Sequence, residues 1–290
     1  SEHSGVINIG LEGIMVFGAL GGALAIRYLP DGTSAVMLIL LTILAALLFG
    51  AIYSLMLAVA AINFKADQTL VGTAMNLLGT AAATVIVKAI NTAANPDDVS
   101  STIQYINAKK AFLVNINGFE FNWFMLLALI LLVVSYVLLN KTKFGLRLQA
   151  CGEHPQAADS VGINVYKMRY IGVMISGALG GIGGLAFTVA AGSGFSSSVA
   201  GYGFLALAVM IFGNWKPLNI FGASLFFALF KVIGSYSSSI AFLPKFEGVV
   251  NSGYIYNMLP YVVTMIILIL TSKNSAAPKA EGIPYDKGQR

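Results

Sequence analysis

The stretch AVMLILLTILAALLFGAIYSLMLAVAAI occupies residues 35–62 and contains no charged side chain. About 20 apolar residues in a helix span the hydrocarbon core of a bilayer, so this stretch is long enough to cross a membrane. The sequence predicts eight such apolar stretches: 6–28, 35–62, 69–90, 122–140, 170–191, 200–213, 219–240 and 257–272. Two of them, 200–213 and 257–272, are short for a span and fit tilted, discontinuous or re-entrant helices.

The composition of the whole chain agrees with this pattern. Of its 290 residues 57% are hydrophobic and only 10% are charged, whereas ordinary soluble domains have about 25% charged residues. So few charges cannot cover a soluble protein of this length, which excludes a soluble globular protein, a disordered chain and a disulfide scaffold. We therefore predict an all-α polytopic membrane protein, with a transmembrane domain over 1–272 and a cytoplasmic tail over 273–290.

The basic residues predict the orientation of the chain. If the polar loop 141–169 is cytoplasmic and every stretch crosses, eleven of the 17 Lys and Arg residues fall on the cytoplasmic side, in keeping with the positive-inside rule. Both ends are then cytoplasmic and the 91–121 loop is extracellular. Because Ser1 is not a Met and the first apolar stretch begins within five residues, we expect the natural protein to have one more helix before it.

Polar residues inside the apolar stretches are candidates for a transport pathway, since each is costly at membrane depth. Asn8 and Glu12 are spaced for one helix face, and Glu12 is either a pathway residue or a structural carboxylate that bonds neighbouring helices. In 69–90, Asn76 and Thr80 belong to a stripe that recurs every four residues. They either hydrogen-bond a substrate or hold helices together.

Three further side chains have two interpretations each. Lys231 lies deep in the stretch 219–240, where it is either functional or extends its ammonium group toward the membrane surface. Phe195 and Tyr202 flank an irregular segment before the short stretch 200–213 and are either stacking platforms for a ring or packing residues. The single cysteine, Cys151, excludes internal disulfides and a cysteine-based metal cluster, and we predict no metal site.

The loop 141–169 contains a short predicted helix. Pro155 is suited to its first turn and Gly162 to its end, with barely two turns between them. A helix of that length is unstable alone, so it either docks into a partner or is a simple connector.

Several blocks of sequence resemble one family of membrane proteins. GEHPQAADSVGI at 152–163 looks like the cytoplasmic coupling loop of ABC importer permeases, in which paired alanines precede a glycine. The other blocks are similar to the branched-chain amino acid and simple-sugar permease superfamily, and most of all to its nucleoside branch. They are SGVINIGLEGIM at 4–15, ADQTLVGTAMN at 66–76, GYGFLALA at 201–208, FGN at 212–214 and MLPY at 258–261.

The resemblance implies a non-catalytic permease subunit of an ATP-driven nucleoside importer in the cell membrane. The implied partners are a second permease, which is a paralogue or a second copy, an ATP-binding cassette ATPase that hydrolyses the ATP, and an extracellular nucleoside-binding lipoprotein. This chain has no phosphate-binding loop of the Gly-x-x-x-x-Gly-Lys-Ser/Thr type and carries no cofactor itself. A permease for simple sugars or branched-chain amino acids and a stand-alone secondary transporter are the alternatives. The implied ATPase-coupling residues are Glu153, His154, Pro155, Ala157, Ala158, Val161 and Gly162.

Overall fold

The computed structural model describes residues 1–30, 32–104, 110–116, 119–191, 194–237, 239, 252–271 and 277–288. Ten α-helices account for most of them, which confirms the all-α polytopic class. The helices are α1 (Leu11–Tyr28), α2 (Ala35–Ala58), α3 (Gln68–Ala94), α4 (Trp123–Lys141), α5 (Lys143–Glu153), α6 (Pro155–Ser160), α7 (Val165–Ala191), α8 (Tyr202–Phe212), α9 (Pro217–Tyr236) and α10 (Ser252–Thr271). A π-helical turn, Val59–Asn63, extends α2.

Six helices in the described part of the chain are long and apolar enough to cross a membrane. They span Leu11–Tyr28, Ala35–Asn63, Gln68–Ala94, Trp123–Lys141, Val165–Ala190 and Pro217–Tyr236. Helix α8 has only 11 residues, in agreement with the short stretch predicted at 200–213. Helix α10 has 20 residues because it begins at Ser252, five residues before the predicted stretch. Each apolar stretch thus corresponds to a helix, although the number that cross a bilayer stays a prediction.

The chain forms two compact units. The first comprises Ser1–Phe204 and Pro278–Arg290, and the second comprises Leu205–Ala277. In the second unit the side chains of Val209, Ala223 and Phe227 form a buried cluster.

Helices α1, α2 and α7 form the centre of the first unit and approach one another closely at glycines. A Cβ added at Gly18 of α1 would lie 2.1 Å from the Cα of Gly181 in α7, and one at Gly50 of α2 would lie 2.3 Å from the carbonyl oxygen of Gly177. No side chain fits between these backbones. The small residues that recur every four positions therefore mark helix contacts, as such pairs do in other membrane proteins.

The start of the first helix differs from the prediction. Helix α1 begins at Leu11, so Asn8 is not helical, and the expectation that Asn8 and Glu12 share a helix face is wrong. Side chains take the place of helical hydrogen-bond partners in this segment. The backbone N–H of Ile7 donates to Oε1 of Gln68 at 2.7 Å, and the N–H of Asn8 donates to Oε1 of Glu2 at 3.0 Å.

Two small antiparallel pairs of strands accompany the helices. Strands β2 (Leu113–Ile116) and β3 (Phe119–Asn122) pair within and just beyond the 91–121 loop. Strand β1 (Ile103–Gln104) pairs with β4 (Gly194–Phe195), which joins that loop to the segment after α7. The loop is thus partly ordered by strands, a detail that its polar composition did not predict.

The 141–169 loop contains two helices in place of one. Helix α6 is the short helix predicted from Pro155 and Gly162, and Gly162 follows it in the left-handed region at a φ of +84°. Because L-residues with a side chain rarely adopt that conformation, glycine is favoured at this turn. Helix α5, which precedes α6, was not predicted.

Candidate functional site

Helix α6 has one packed face and one exposed face. Pro155 and Ala158 are buried, and Ala158 is only 3% exposed. Ala158 belongs to the buried cluster formed with Leu148, Cys151, Val165, Met168 and Tyr285.

The remaining predicted coupling residues point outward. Glu153, His154, Ala157, Val161 and Gly162 are all exposed, and 75% of the Val161 side chain is accessible. An exposed valine beside an exposed alanine gives this face an apolar contact surface. The arrangement is suited to a partner that covers it, although docking stays a prediction.

A concave site lies at the C-terminal end of α6. It has a volume of about 330 Å³ and is lined by residues 162–166 together with Asp159 and Lys287. Lys287 comes from the far end of the chain, so this site is built by two segments more than 100 residues apart.

The segment 278–288, here called the C-terminal strap, packs against the rest of the first unit. The backbone N–H of Ala280 donates to the carbonyl oxygen of Gly152 at 2.8 Å, at the end of α5. The N–H of Gly282 donates to the carbonyl oxygen of Gly5 at 3.1 Å. These backbone bonds tie the strap to two parts of the chain that are distant in sequence.

Side chains fix the second half of the strap. Tyr285 is only 4% exposed, and its ring meets that of Tyr166 edge to face with 5.3 Å between centroids. Arg169, which is 1% exposed, donates from Nη1 to the carbonyl oxygen of Ile283 at 3.0 Å. The strap is therefore a packed part of the protein rather than a loose tail.

Two pairs of ionisable side chains also join the strap to the rest of the first unit. Lys65 and Asp286 form an ion pair with 2.6 Å between Nζ and Oδ2. Their hydrogen bond raises the pKa of Lys65 and lowers that of Asp286. Burial, together with a hydrogen bond to Glu2 and the charge of that residue, raises the pKa of Glu281 to about 9.

The candidate pathway residue Glu12 caps a helix. Its Oε1 accepts a hydrogen bond from the N–H of Gly201 at 2.8 Å, and its Oε2 accepts one from the N–H of Gly203 at 2.7 Å. These donors lie at the start of α8, where a helix has unpaired N–H groups and attracts negative charge. This geometry supports the structural interpretation of Glu12, and its pathway role stays a prediction.

Asn76 joins α3 to the start of α1. Its Oδ1 accepts from the N–H of Gly13 and its Nδ2 donates to the carbonyl oxygen of Ile9, both at 2.9 Å. Thr80, one turn further along α3, is exposed, and its hydroxyl donates to the carbonyl oxygen of Asn76 at 3.3 Å. The side-chain amide of Asn76 thus holds α3 against the start of α1, whereas Thr80 is exposed.

Asn8 lies just before α1 and is buried, with only 3% of its surface exposed. Its Nδ2 donates to Oγ of Ser176 at 3.0 Å, while its Oδ1 has no hydrogen-bond partner in the described part of the chain. The structure therefore brings Asn8, Glu12 and Asn76 together around the first turn of α1.

The remaining pathway candidates are Phe195, Tyr202 and Lys231, of which Tyr202 lies between the two glycines that bond Glu12. Phe195 is fully buried in β4, and the ring of Tyr202 lies 4.5 Å from that of Phe187. Lys231 lies in α9 of the second unit, is half-buried, and accepts at its carbonyl oxygen a hydrogen bond from Ser235 at 2.9 Å. A substrate role for these three residues stays a prediction.

Sequence reasoning missed the residues that hold the strap. In the sequence, Arg169 is only one of the basic residues that orient the chain, and Tyr285 falls in the predicted tail. The one available signal was the apolar spacing of Ala280, Ile283 and Tyr285 within a polar segment, which is too weak to predict packing.

Comparison with known proteins shows similarity along the whole chain. Residues 1–271 match the family described as "Branched-chain amino acid transport system / permease component". The chain is 42% identical over 300 residues to the guanosine ABC transporter permease protein NupQ of Bacillus subtilis (strain 168), covering all of this chain and 91% of that protein. It is 37% identical over 294 residues to the nucleoside ABC transporter permease protein NupC of Lactococcus lactis subsp. cremoris (strain MG1363), covering all of this chain and 90% of NupC.

A third relative is more distant. The nucleoside ABC transporter permease protein NupB of the same Lactococcus strain is 21% identical over 294 residues, which cover 99% of this chain and 79% of NupB. No solved structure matches the chain.

Proposed function

The chain belongs to the family of permease components of branched-chain amino acid transport systems, and we propose that it is the transmembrane permease subunit of an ATP-driven nucleoside importer. Similarity over the full chain to two permeases named for guanosine and nucleoside transport carries this proposal. Among the described residues, six helices long and apolar enough to cross a membrane support a multi-pass membrane protein.

ATP hydrolysis is assigned to a separate subunit. The sequence lacks the phosphate-binding loop motif that cradles ATP in such ATPases. Helix α6, in which Ala158 is buried, together with the exposed Val161 directly after it, is the proposed contact with that subunit. Closure of the ATPase would then reach the membrane helices mechanically through the packed face of α6.

The other partners and the orientation complete the proposal. The excess of Lys and Arg favours a cytoplasmic 141–169 loop and cytoplasmic ends. The similarity to both NupC and NupB, two permeases of one organism, supports a paralogous permease as the second half of the pathway. A nucleoside-binding lipoprotein outside the cell would deliver the substrate.

The pathway itself is proposed to pass the start of α1. The buried Oδ1 of Asn8 has no hydrogen-bond partner among the described residues, and the exposed residue Thr80 lies one turn from Asn76. Amide and hydroxyl groups are the types that hydrogen-bond a ribose or a base without requiring a charged substrate.

Uptake by the reconstituted complex tests the proposal. Vesicles that contain this chain with its partner permease, ATPase and nucleoside-binding lipoprotein should accumulate labelled guanosine or uridine only when ATP is supplied. Unlabelled adenosine should compete and ribose should not. Competition by ribose alone, or uptake by the isolated chain without ATP, would contradict the proposal.

A matched pair of valines tests the role of α6. Val161→Asp places a charge on the exposed face and should reduce co-purification of the ATPase. Val99→Asp changes a valine that is 71% exposed in the loop proposed to be extracellular, and should leave the ATPase bound. Equal ATPase recovery from both variants would remove α6 from the interface.

A further inference from the structure

The C-terminal strap connects four separate parts of the first unit. It contacts Gly5 in the N-terminal segment, Gly152 at the end of α5, Arg169 in α7 and Lys65 after the π-helical turn. Three of these contacts are hydrogen bonds to or from the strap's own backbone, which position the chain independently of most of its side chains. The strap is therefore held along its length, from Ala280 to Asp286.

Tyr285 is the strap residue in the buried cluster that α6 also joins. It is buried in the same cluster as Ala158, the only residue of α6 in that cluster. A buried tyrosine removes 150–250 Å² of surface from water, about the largest contribution one side chain makes. The ring thus contributes to the buried cluster against which Ala158 of α6 packs.

Helix α6 depends on that surface for its position. It has six residues, whereas isolated helices shorter than about 12–15 residues are marginal in water. Its buried face consists of Pro155 and Ala158, both small, so α6 has no long side chain to anchor it. The strap also reaches the C-terminal end of α6, where Lys287 lines the concave site.

We propose that the C-terminal strap is part of the ATPase-coupling surface and that Tyr285 is a positioning residue that holds α6 in place under load. This inference rests on the proposed role of α6. If α6 shifted relative to the membrane helices when the ATPase closed, less of that movement would reach those helices than if α6 were held in place. Arg169 at Ile283 and Lys65 at Asp286 fix the strap on either side of Tyr285, so the ring cannot leave the cluster that it shares with Ala158 without breaking a contact.

The coupling ratio of the complete importer tests the proposal. Tyr285→Ala removes the ring and Tyr285→Phe keeps it. Ile283→Ala is the matched control because Ile283 is 57% exposed and its hydrogen bonds with Arg169 and Ala280 use only its backbone atoms. In vesicles containing the whole complex, Tyr285→Ala should hydrolyse ATP but import at least about fivefold fewer nucleosides per ATP. Tyr285→Phe and Ile283→Ala should keep the original ratio. An unchanged ratio in Tyr285→Ala would overturn the proposal.

Hydrogen exchange tests the strap without reference to any substrate. In the whole complex, the amides of residues 156–162 should exchange about tenfold faster in Tyr285→Ala than in Ile283→Ala. Should Tyr285→Ala fail to assemble, Asp286→Ala loosens one end of the strap and should give a smaller increase at the same amides. No increase in an assembled variant overturns the strap proposal, whereas a wild-type complex that imports no nucleoside refutes only the proposed function.

Discussion

Replacing Glu12 by Gln should loosen the start of helix α8. The two oxygens of Glu12 accept hydrogen bonds of 2.8 and 2.7 Å from the N–H groups of Gly201 and Gly203. Glutamine supplies one acceptor oxygen, and its NH₂ group then faces an N–H that needs an acceptor. One bond to a charged group is lost, which is worth about 1.5–3 kcal/mol.

Amide exchange in the whole complex measures the effect. Since 1.4 kcal/mol corresponds to a factor of ten, the amides of residues 201–204 should exchange about 10–100-fold faster in Glu12→Gln. Glu12→Ala removes both bonds and should have a larger effect. Glu153→Gln, which changes an exposed glutamate, is the matched control and should alter nothing at these amides.

The result also separates the two interpretations of Glu12. Exchange in Glu12→Gln that stays within about twofold of the control would refute the capping argument. If uptake then fell while exchange did not, the pathway role would be favoured instead. Faster exchange with a parallel loss of uptake is the outcome that we expect.

Three other changes test the packing and the strap. Gly181→Ala should lower the melting temperature of the complex, because its Cβ would lie 2.2 Å from a backbone oxygen of α2, whereas Gly183→Ala, whose nearest neighbour is 3.9 Å away, should not. Asn76→Leu leaves an N–H and a carbonyl near the start of α1 unpaired, at about 1–3 kcal/mol each, and should also lower it, while an unchanged value would contradict the bridging geometry. The raised pKa of Glu281 favours its protonated form in the folded protein, so contact of the strap should weaken as the pH rises from about 4.5 towards 9. Glu281→Gln should abolish that pH dependence, which hydrogen exchange at residues 278–288 would report, and a persisting dependence would assign it to groups other than the pair with Glu2.

The apolar stretches predicted the helices because length and hydrophobicity alone decide what can span a bilayer. The short helix α6 was predicted as well, since Pro155 and Gly162 constrain the backbone locally. Such signals act over a few residues and need no knowledge of the rest of the fold.

The missed features depend on partners that are distant in sequence. Asn8 is not helical because Glu2 and Gln68 satisfy the backbone around it. Arg169 and Tyr285 are buried by each other's segments, more than 100 residues apart. Periodicity cannot report such contacts, because none of these segments contains a repeating apolar face that points to its neighbour.

The close glycine contact of α7 with α1 and α2 has a consequence for synthesis of the protein. Gly181 is added roughly 130 residues after Gly50, and at about 5–20 residues per second this takes roughly 7–26 s. Throughout that interval the first two helices are already made, while the backbone surface that α7 will cover faces lipid or the insertion machinery. The nascent chain must therefore keep this surface from pairing with the wrong helix until translation supplies the right one.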